Sequence, residues 1–310
     1  MTMNRRKFLL ATGMAAAMPV FATPVNRIEN KSRKAVSSPA PGDNLVGIIT
    51  SGDNPEEDIK KISEMGFATC QLWISEYSPG LAKRLTDNLD KYKIKPDTLI
   101  CMGPGPYKWS LIDGPSTIGL VPREYREKRI ERLCRGIDFC VETGIPAVHA
   151  HFGFIPEDPR DVLYPEFVEA MKKVGEYGLK KNIDLYFETG QETPITLLRA
   201  IEDIGTGNLY VNLDPANLVM YGKANPYDGL RILIKYVKAF HIKDGLYPTN
   251  PNRLGNEVLV PEGEVDFPRI IKYLRENDFK GAYVIECELS GERTDYILQT
   301  KKYVEELISA

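Results

Sequence analysis

Leu185-Tyr-Phe-Glu-Thr-Gly190, Leu209-Tyr-Val-Asn-Leu-Asp-Pro215, Val237-Lys-Ala-Phe-His-Ile242 and Ala282-Tyr-Val-Ile-Glu-Cys287 are four short apolar runs. Each closes on a residue with acid–base or ligand chemistry: Glu188, Asp214, His241 and Glu286. The first two separations, 26 and 27 residues, match one strand–helix–strand repeat. Parallel neighbouring strands bring all four side chains to one rim. Three carboxylates and an imidazole converging there form a divalent-metal site. Polar groups at normally apolar inward positions are costly without such a partner.

Outward from these runs, the same alternation fills the chain. Strands are expected near 45–50, 69–74, 96–102, 146–152, 183–189, 209–214, 237–243 and 282–288. Helical periodicity lies near 55–65, 79–92, 122–143, 161–181, 193–204, 226–235, 267–277 and 292–308. Eight strands alternating with eight helices predict an α/β fold, a closed (β/α)8 TIM barrel. Pro55 and Pro194 stand where helices begin. Gly66, Gly144 and Gly281 stand where helices are expected to stop. An open doubly wound sheet would want a glycine-rich turn after its first strand, and Thr50-Ser-Gly-Asp-Asn54 holds one glycine.

The barrel is assigned to residues 45–310. Before it, Asn4-Arg-Arg-Lys-Phe-Leu-Leu10 and an apolar stretch to Ala22 read as a twin-arginine export signal over 1–22. Residues 23–44 read as a flexible linker. The expected location is the periplasm, with no stable membrane anchor, because the apolar stretch is short and carries Gly13 and Pro19. Five cysteines without a Cys-x-x-Cys pair read as buried thiols rather than disulfides or a zinc site. A net charge of −3 gives no electrostatic reason for a nucleic-acid partner. The sequence leaves the oligomeric state open.

Two long loops follow strands. Gly103–Gly119 is rich in Gly, Pro and aromatics, and a loop of that length reads as a lid laying Tyr107 and Trp109 over a ligand. The second, 244–264, carries Arg253, Glu257 and Glu262. In Ala147-Val-His-Ala-His-Phe152 the two histidines share a face. His151, nearer the rim, is expected to bind a substrate hydroxyl or shuttle a proton, and His149 to pack in the core. Lys243 shares the His241 face and is placed to hold a substrate oxygen. Glu288 is placed to orient a ligand.

The Phe-Glu-Thr-Gly, Leu-Asp-Pro-Ala-Asn-Leu, Phe-His-Ile-Lys-Asp and Val-Ile-Glu segments, with Pro261-Glu-Gly-Glu-Val-Asp-Phe267, resemble the xylose isomerase-like TIM barrel superfamily. The resemblance runs from about residue 45 to 308. It implies that Glu188, Asp214, His241 and Glu286 bind one divalent ion, Mn, Mg, Co or Zn. It also implies that Glu188 and Glu286 are the catalytic acid and base on opposite sides of a ketose, with the metal stabilising an enediolate. Where the ketose epimerases and endonuclease IV commonly carry a His, three residues after the metal Asp, this chain has Asn217. Trp109, His151, Asn217, Lys243 and Arg253 are the candidate substrate-binding residues. The expected function is a metal-dependent isomerase or epimerase on a non-phosphorylated keto sugar or related polyol. A lyase or dehydratase acting on a 3-keto-glycoside or inosose, and a non-catalytic sugar-binding protein, are the alternatives. Three histidines are too few for the three-metal cluster of endonuclease IV.

Overall fold

The computed structural model describes residues 45–291 and 293–310. The expected export segment and linker, 1–44, lie outside the described residues. Strands β1 (Val46–Ser51), β2 (Thr69–Trp73), β3 (Lys95–Ile100), β4 (Ala147–Ala150), β5 (Asp184–Glu188), β6 (Leu209–Leu213), β7 (Val237–Ile242) and β10 (Ala282–Ile285) close into one parallel barrel. The order around it is β1-β10-β7-β6-β5-β4-β3-β2. A two-stranded ribbon, β8 (Asp244–Gly245) with β9 (Glu257–Val258), adds an antiparallel pair at the rim. The TIM-barrel expectation therefore stands.

Helices α1 (Pro55–Glu64), α2 (Leu81–Tyr92), α4 (Arg123–Thr143), α5 (Leu163–Lys180), α6 (Pro194–Ile204), α8 (Pro226–Leu233), α9 (Phe267–Glu276) and α10 (Thr294–Ser309) follow the strands. Two short helices, α3 (Gly114–Thr117) and α7 (Pro215–Met220), were not expected. Helix α9 shows why such segments form. The Asp266 side chain accepts from the Arg269 amide and Pro268 occupies the first turn. Phe267, Ile270, Ile271 and Leu274 then fall on one buried stripe. Each buried side chain there contributes roughly 1.5–3 kcal/mol.

Three expected strands end early at the rim. Strand β4 stops at Ala150, and the Phe152 carbonyl turns away to accept from the Leu120 amide at 2.8 Å. Strands β3 and β10 stop at Ile100 and Ile285, although Cys101 and Glu286 still donate to the neighbouring strands. Gly281 is not a helix stop, since α9 ends at Glu276. A side chain at 281 would place its Cβ 1.8 Å from the Lys238 carbonyl oxygen, so the requirement is close strand approach.

Two apolar layers flank the barrel wall. The main core packs helices against the outward strand faces. A small cluster of Ala147, Tyr186 and Ala239 fills the interior floor. Above it the inward positions turn polar: Gln71, Asp97, His149, Asn212 and His241 are all buried. None of the described helices is long and apolar enough to cross a membrane.

Candidate metal centre and active site

The period of two along a strand decides which side chains enter the barrel. Tyr186 on the floor places Glu188 at the mouth. Ala239 likewise places His241, and after it Lys243. Asp214 begins α7, and its two oxygens separate into two duties. Oδ1 accepts from the Asn217 amide at 2.8 Å and caps the helix. Oδ2 stays turned toward the barrel axis, 3.5 Å from His241 Nδ1.

His241 Nδ1 is the centre of the constellation. It lies 2.7 Å from Glu286 Oε2, 3.4 Å from Glu188 Oε1 and 3.5 Å from Asp214 Oδ2. The ligand atoms of all four residues fall within 4.8 Å of one another. His241 Nδ1, Asp214 Oδ2 and Glu286 Oε2 are buried and lack a properly oriented hydrogen-bond partner. The 2.7 Å contact is close but is not aligned as a hydrogen bond. Orphaned acceptors aimed at one point are what a divalent cation satisfies, so the residues fit such an ion. The four residues expected from the sequence do meet at one point.

Electrostatics favour the ligand form of Glu188 and Glu286 and work against that of Asp214 and His241. Burial works to raise the Glu188 carboxyl, but His151, His149 and His241 outweigh it and hold it well below the usual range. Burial also opposes ionisation of Glu286, yet Lys243 and His241 hold that carboxyl at about 2. Burial pushes Asp214 up to about 6 despite Lys243. Burial disfavours a charged His241, but Glu286 and Glu188 raise it well above the usual imidazole range. The same carboxylates that would hold a cation thus favour a charged imidazole in its absence.

The expected substrate residues fare differently. Asn217 donates its side-chain amide to Glu188 Oε1 at 3.3 Å. His151 Nε2 lies 3.1 Å from Glu188 Oε2, and its Nδ1 lies 3.1 Å from Gln191 Oε1. Trp109, 46 % exposed, meets the His151 ring edge-on with centroids 4.8 Å apart. Lys243 is buried with its Nζ 2.8 Å from Glu288, 3.2 Å from Glu286 and 3.9 Å from Asp214. Arg253 sits exposed in its loop, and its backbone amide donates to Asn250. The structure thus gathers Trp109, His151, Asn217 and Lys243 around the four-residue cluster and shows no contact from Arg253 to it. A cavity of about 490 Å3 opens beside Glu286, lined also by Thr50, Lys61 and Glu288.

His149 is buried in the barrel core as expected, with both ring nitrogens partnered there. Its Nε2 is 2.7 Å from Glu188 Oε2, and its Nδ1 is 3.5 Å from Thr98 Oγ1. With Glu188 and His241 it forms a second, overlapping group of metal-type side chains. The even spacing from His151 was the available signal. Gln71, Asp97, Gln191 and Arg129 carried none, because each is placed by distant strands or helices. Arg129 holds the 103–119 loop. Its guanidinium donates to the carbonyls of Pro104, Pro106 and Gly119 and lies over the Tyr107 ring at 4.5 Å. Asp244 is equally structural: its carboxylate accepts from the amides of Gly245, Gly263 and Val265 and closes the 244–264 loop. A side chain at Gly263 would put its Cβ 2.1 Å from Asp244 Oδ1.

The family model described as Xylose isomerase-like TIM barrel matches residues 59–307. The chain belongs to this family. A member from Planctomyces limnophilus, solved as a xylose isomerase domain protein, is 26% identical with a TM-score of 0.79. The match covers 86% of this chain and 97% of that one. The 3-keto-D-glucoside 4-epimerase of E. coli shares the fold at 14% identity and a TM-score of 0.64, over 86% of this chain and 100% of its own. Inosose dehydratase of Clostridium tetani is 23% identical over 162 residues, 46% of this chain and 54% of that protein. The chain thus spans about half the length of the curated relatives it matches.

Proposed function

We propose that this chain is a divalent-metal-dependent enzyme that moves a proton at the carbon beside the carbonyl of a non-phosphorylated keto sugar or related polyol, as an isomerase or epimerase. The observation that carries it is the convergence of Glu188 and Glu286, 3.4 Å and 2.7 Å away, on the orphaned Nδ1 of His241, with both carboxyls held below their usual range. A cation held by Glu188, Asp214, His241 and Glu286 would supply Lewis-acid stabilisation of charge on the substrate oxygens. Glu188 and Glu286 are the bases. The one that takes the proton is the conjugate acid that returns it to the adjacent carbon, whereas return to the opposite face falls to the other carboxyl. Asn217 and His149 hold the two Glu188 oxygens in place. His151 and Trp109 form the wall on the lid side, and Lys243 offers an ammonium to substrate oxygen. The Asn4–Leu10 segment supports a periplasmic location for this reaction, where phosphorylated sugars are not the expected metabolites.

A second reading keeps the proton removal and ends in elimination, as a lyase or dehydratase. The inosose dehydratase relatives favour it, as does the Lys243 ammonium 3.2 Å from Glu286, which can protonate a leaving oxygen. One experiment serves both. Neutral keto sugars and inosose are incubated with the metal-loaded protein in deuterated water, and exchange and products are read by NMR. Exchange that needs the metal and disappears in Glu286→Gln is the expected result, with a stereoisomer or aldose as product. A dehydrated or aglycone-released product assigns the elimination. Tight sugar binding indifferent to chelator, with no exchange, rejects both.

A further inference from the structure

Beneath the metal centre lies a buried chain of polar groups that links four strands, and its hydrogen-bond polarity follows from the acceptor at its end. Asp97 Oδ2 is 3.0 Å from Gln71 Nε2. The same nitrogen is 3.0 Å from Asn212 Oδ1. Gln71 Oε1 is 2.8 Å from His241 Nε2. An ionised carboxylate only accepts, so the Gln71 atom facing Asp97 has to be the amide nitrogen. The amide oxygen is then the atom facing His241, and an acceptor there requires hydrogen on Nε2. A neutral His241 ring consequently carries its lone pair on Nδ1, which points at Glu188, Asp214 and Glu286.

The backbone is built to make this contact. Strand β3 pairs with β2 as Cys70↔Pro96 and then Gln71↔Thr98, so Asp97 is an extra residue in the ladder. Without that bulge, Asp97 and Thr98 would face opposite sides of the wall. With it, Asp97 reaches Gln71 while Thr98 reaches His149, both inside the barrel. A second register shift falls between Val211 and Asn212, beside the other acceptor. Burial pushes the Asp97 carboxyl up to about 6, and the Gln71 amide that donates to it opposes that rise by favouring the carboxylate.

We propose that Asp97 and Gln71 form a polarity lock that fixes His241 with hydrogen on Nε2 and so presents Nδ1 to a divalent ion. The inference rests on the metal reading of the four-residue centre. Gln71 and Asp97 are positioning residues: neither is among the ligands, and they act through the His241 ring. Reversal of the Gln71 amide would offer a donor to Nε2, move the ring hydrogen to Nδ1 and block the ligand position.

The test reads the metal rather than turnover. Mn2+ affinity is measured by electron paramagnetic resonance at neutral pH on chelator-stripped protein, with thermal melts to confirm folding. In Gln71→Met, which removes the acceptor at similar volume, affinity is expected to fall by about 10–100-fold. The double swap Gln71→Glu/Asp97→Asn returns an acceptor to Nε2, with the new amide at 97 donating to the new carboxylate at 71. The Asn212 amide nitrogen, which lacks a partner, is free to turn toward that carboxylate. The swap is expected to recover affinity to within a few-fold of wild type, which simple loss of packing would not do. Zn2+-loaded protein labelled with 15N at its three histidines should show one ring with Nδ1 metallated and a protected Nε2 hydrogen. Wild type that binds Mn2+ alongside folded Gln71→Met binding it equally well overturns the lock alone. Wild type that takes up no Mn2+ overturns the metal reading and the lock with it.

Discussion

Asp214 shows how one residue is divided between folding and chemistry. Its Oδ1 caps α7 through the Asn217 amide, and its Oδ2 faces the metal position. The two duties separate by substitution. Asp214→Asn keeps an acceptor for the cap but removes the charge, so divalent affinity should fall by about 100-fold or more with stability nearly unchanged. Asp214→Ala loses the cap as well, and urea denaturation of metal-free protein should show a further loss of about 1 kcal/mol. Equal metal affinity in wild type and Asp214→Asn would remove Asp214 from the ligand set.

At the scale of the element, the long loops are pinned rather than loosely draped. A single buried Arg129 gathers three carbonyls and an aromatic face of the 103–119 loop. Arg129→Met retains the bulk and loses the donors. It should cost roughly 2–3 kcal/mol in denaturant titration, because buried carbonyls lose their partners. Trp109 would lose its fixed place against His151, so KM should rise more than kcat falls. A kcat loss with unchanged KM would place the loop outside substrate binding. The element order itself was legible, because alternation of apolar runs with helical stripes is a local pattern. The short helices α3 and α7 were not, since four to six residues carry too little periodicity to show.

For the whole molecule, the cluster of like charges makes the metal a structural partner too. A divalent ion at 100 times its Kd stabilises the folded state by about 2.7 kcal/mol, and chelation should lower the Tm accordingly. The pH dependence has a definite sign. Burial disfavours a charged His241, but Glu286 and Glu188 raise it well above the usual imidazole range. In metal-free protein this raised group contributes stability that is present below the unfolded value and lost as pH rises through the folded one. Metal must displace that proton. Its affinity should therefore climb with pH, up to about tenfold per unit per proton released, and the Tm gain on adding Mn2+ should shrink as pH falls. Calorimetry in buffers of differing ionisation enthalpy counts the protons. A Tm gain independent of pH would mean that His241 is not a ligand.

The sequence by itself determined the barrel and the four residues gathered at its mouth. Strand ends repeat at a spacing set by one helix crossover, and a charged residue closing an apolar run is visible without any fold. Only the tertiary structure decided that His149 reaches Glu188, that Arg129 holds the lid-side loop, and that Asp97 and Gln71 set the polarity of His241. Gln71 and His241 stand 170 residues apart in the chain. Asp97 faces inward because one extra residue in β3 reverses the alternation that sequence reading assumes. Contacts made by closure of a barrel across such distances follow from the register of strands, which no local pattern records.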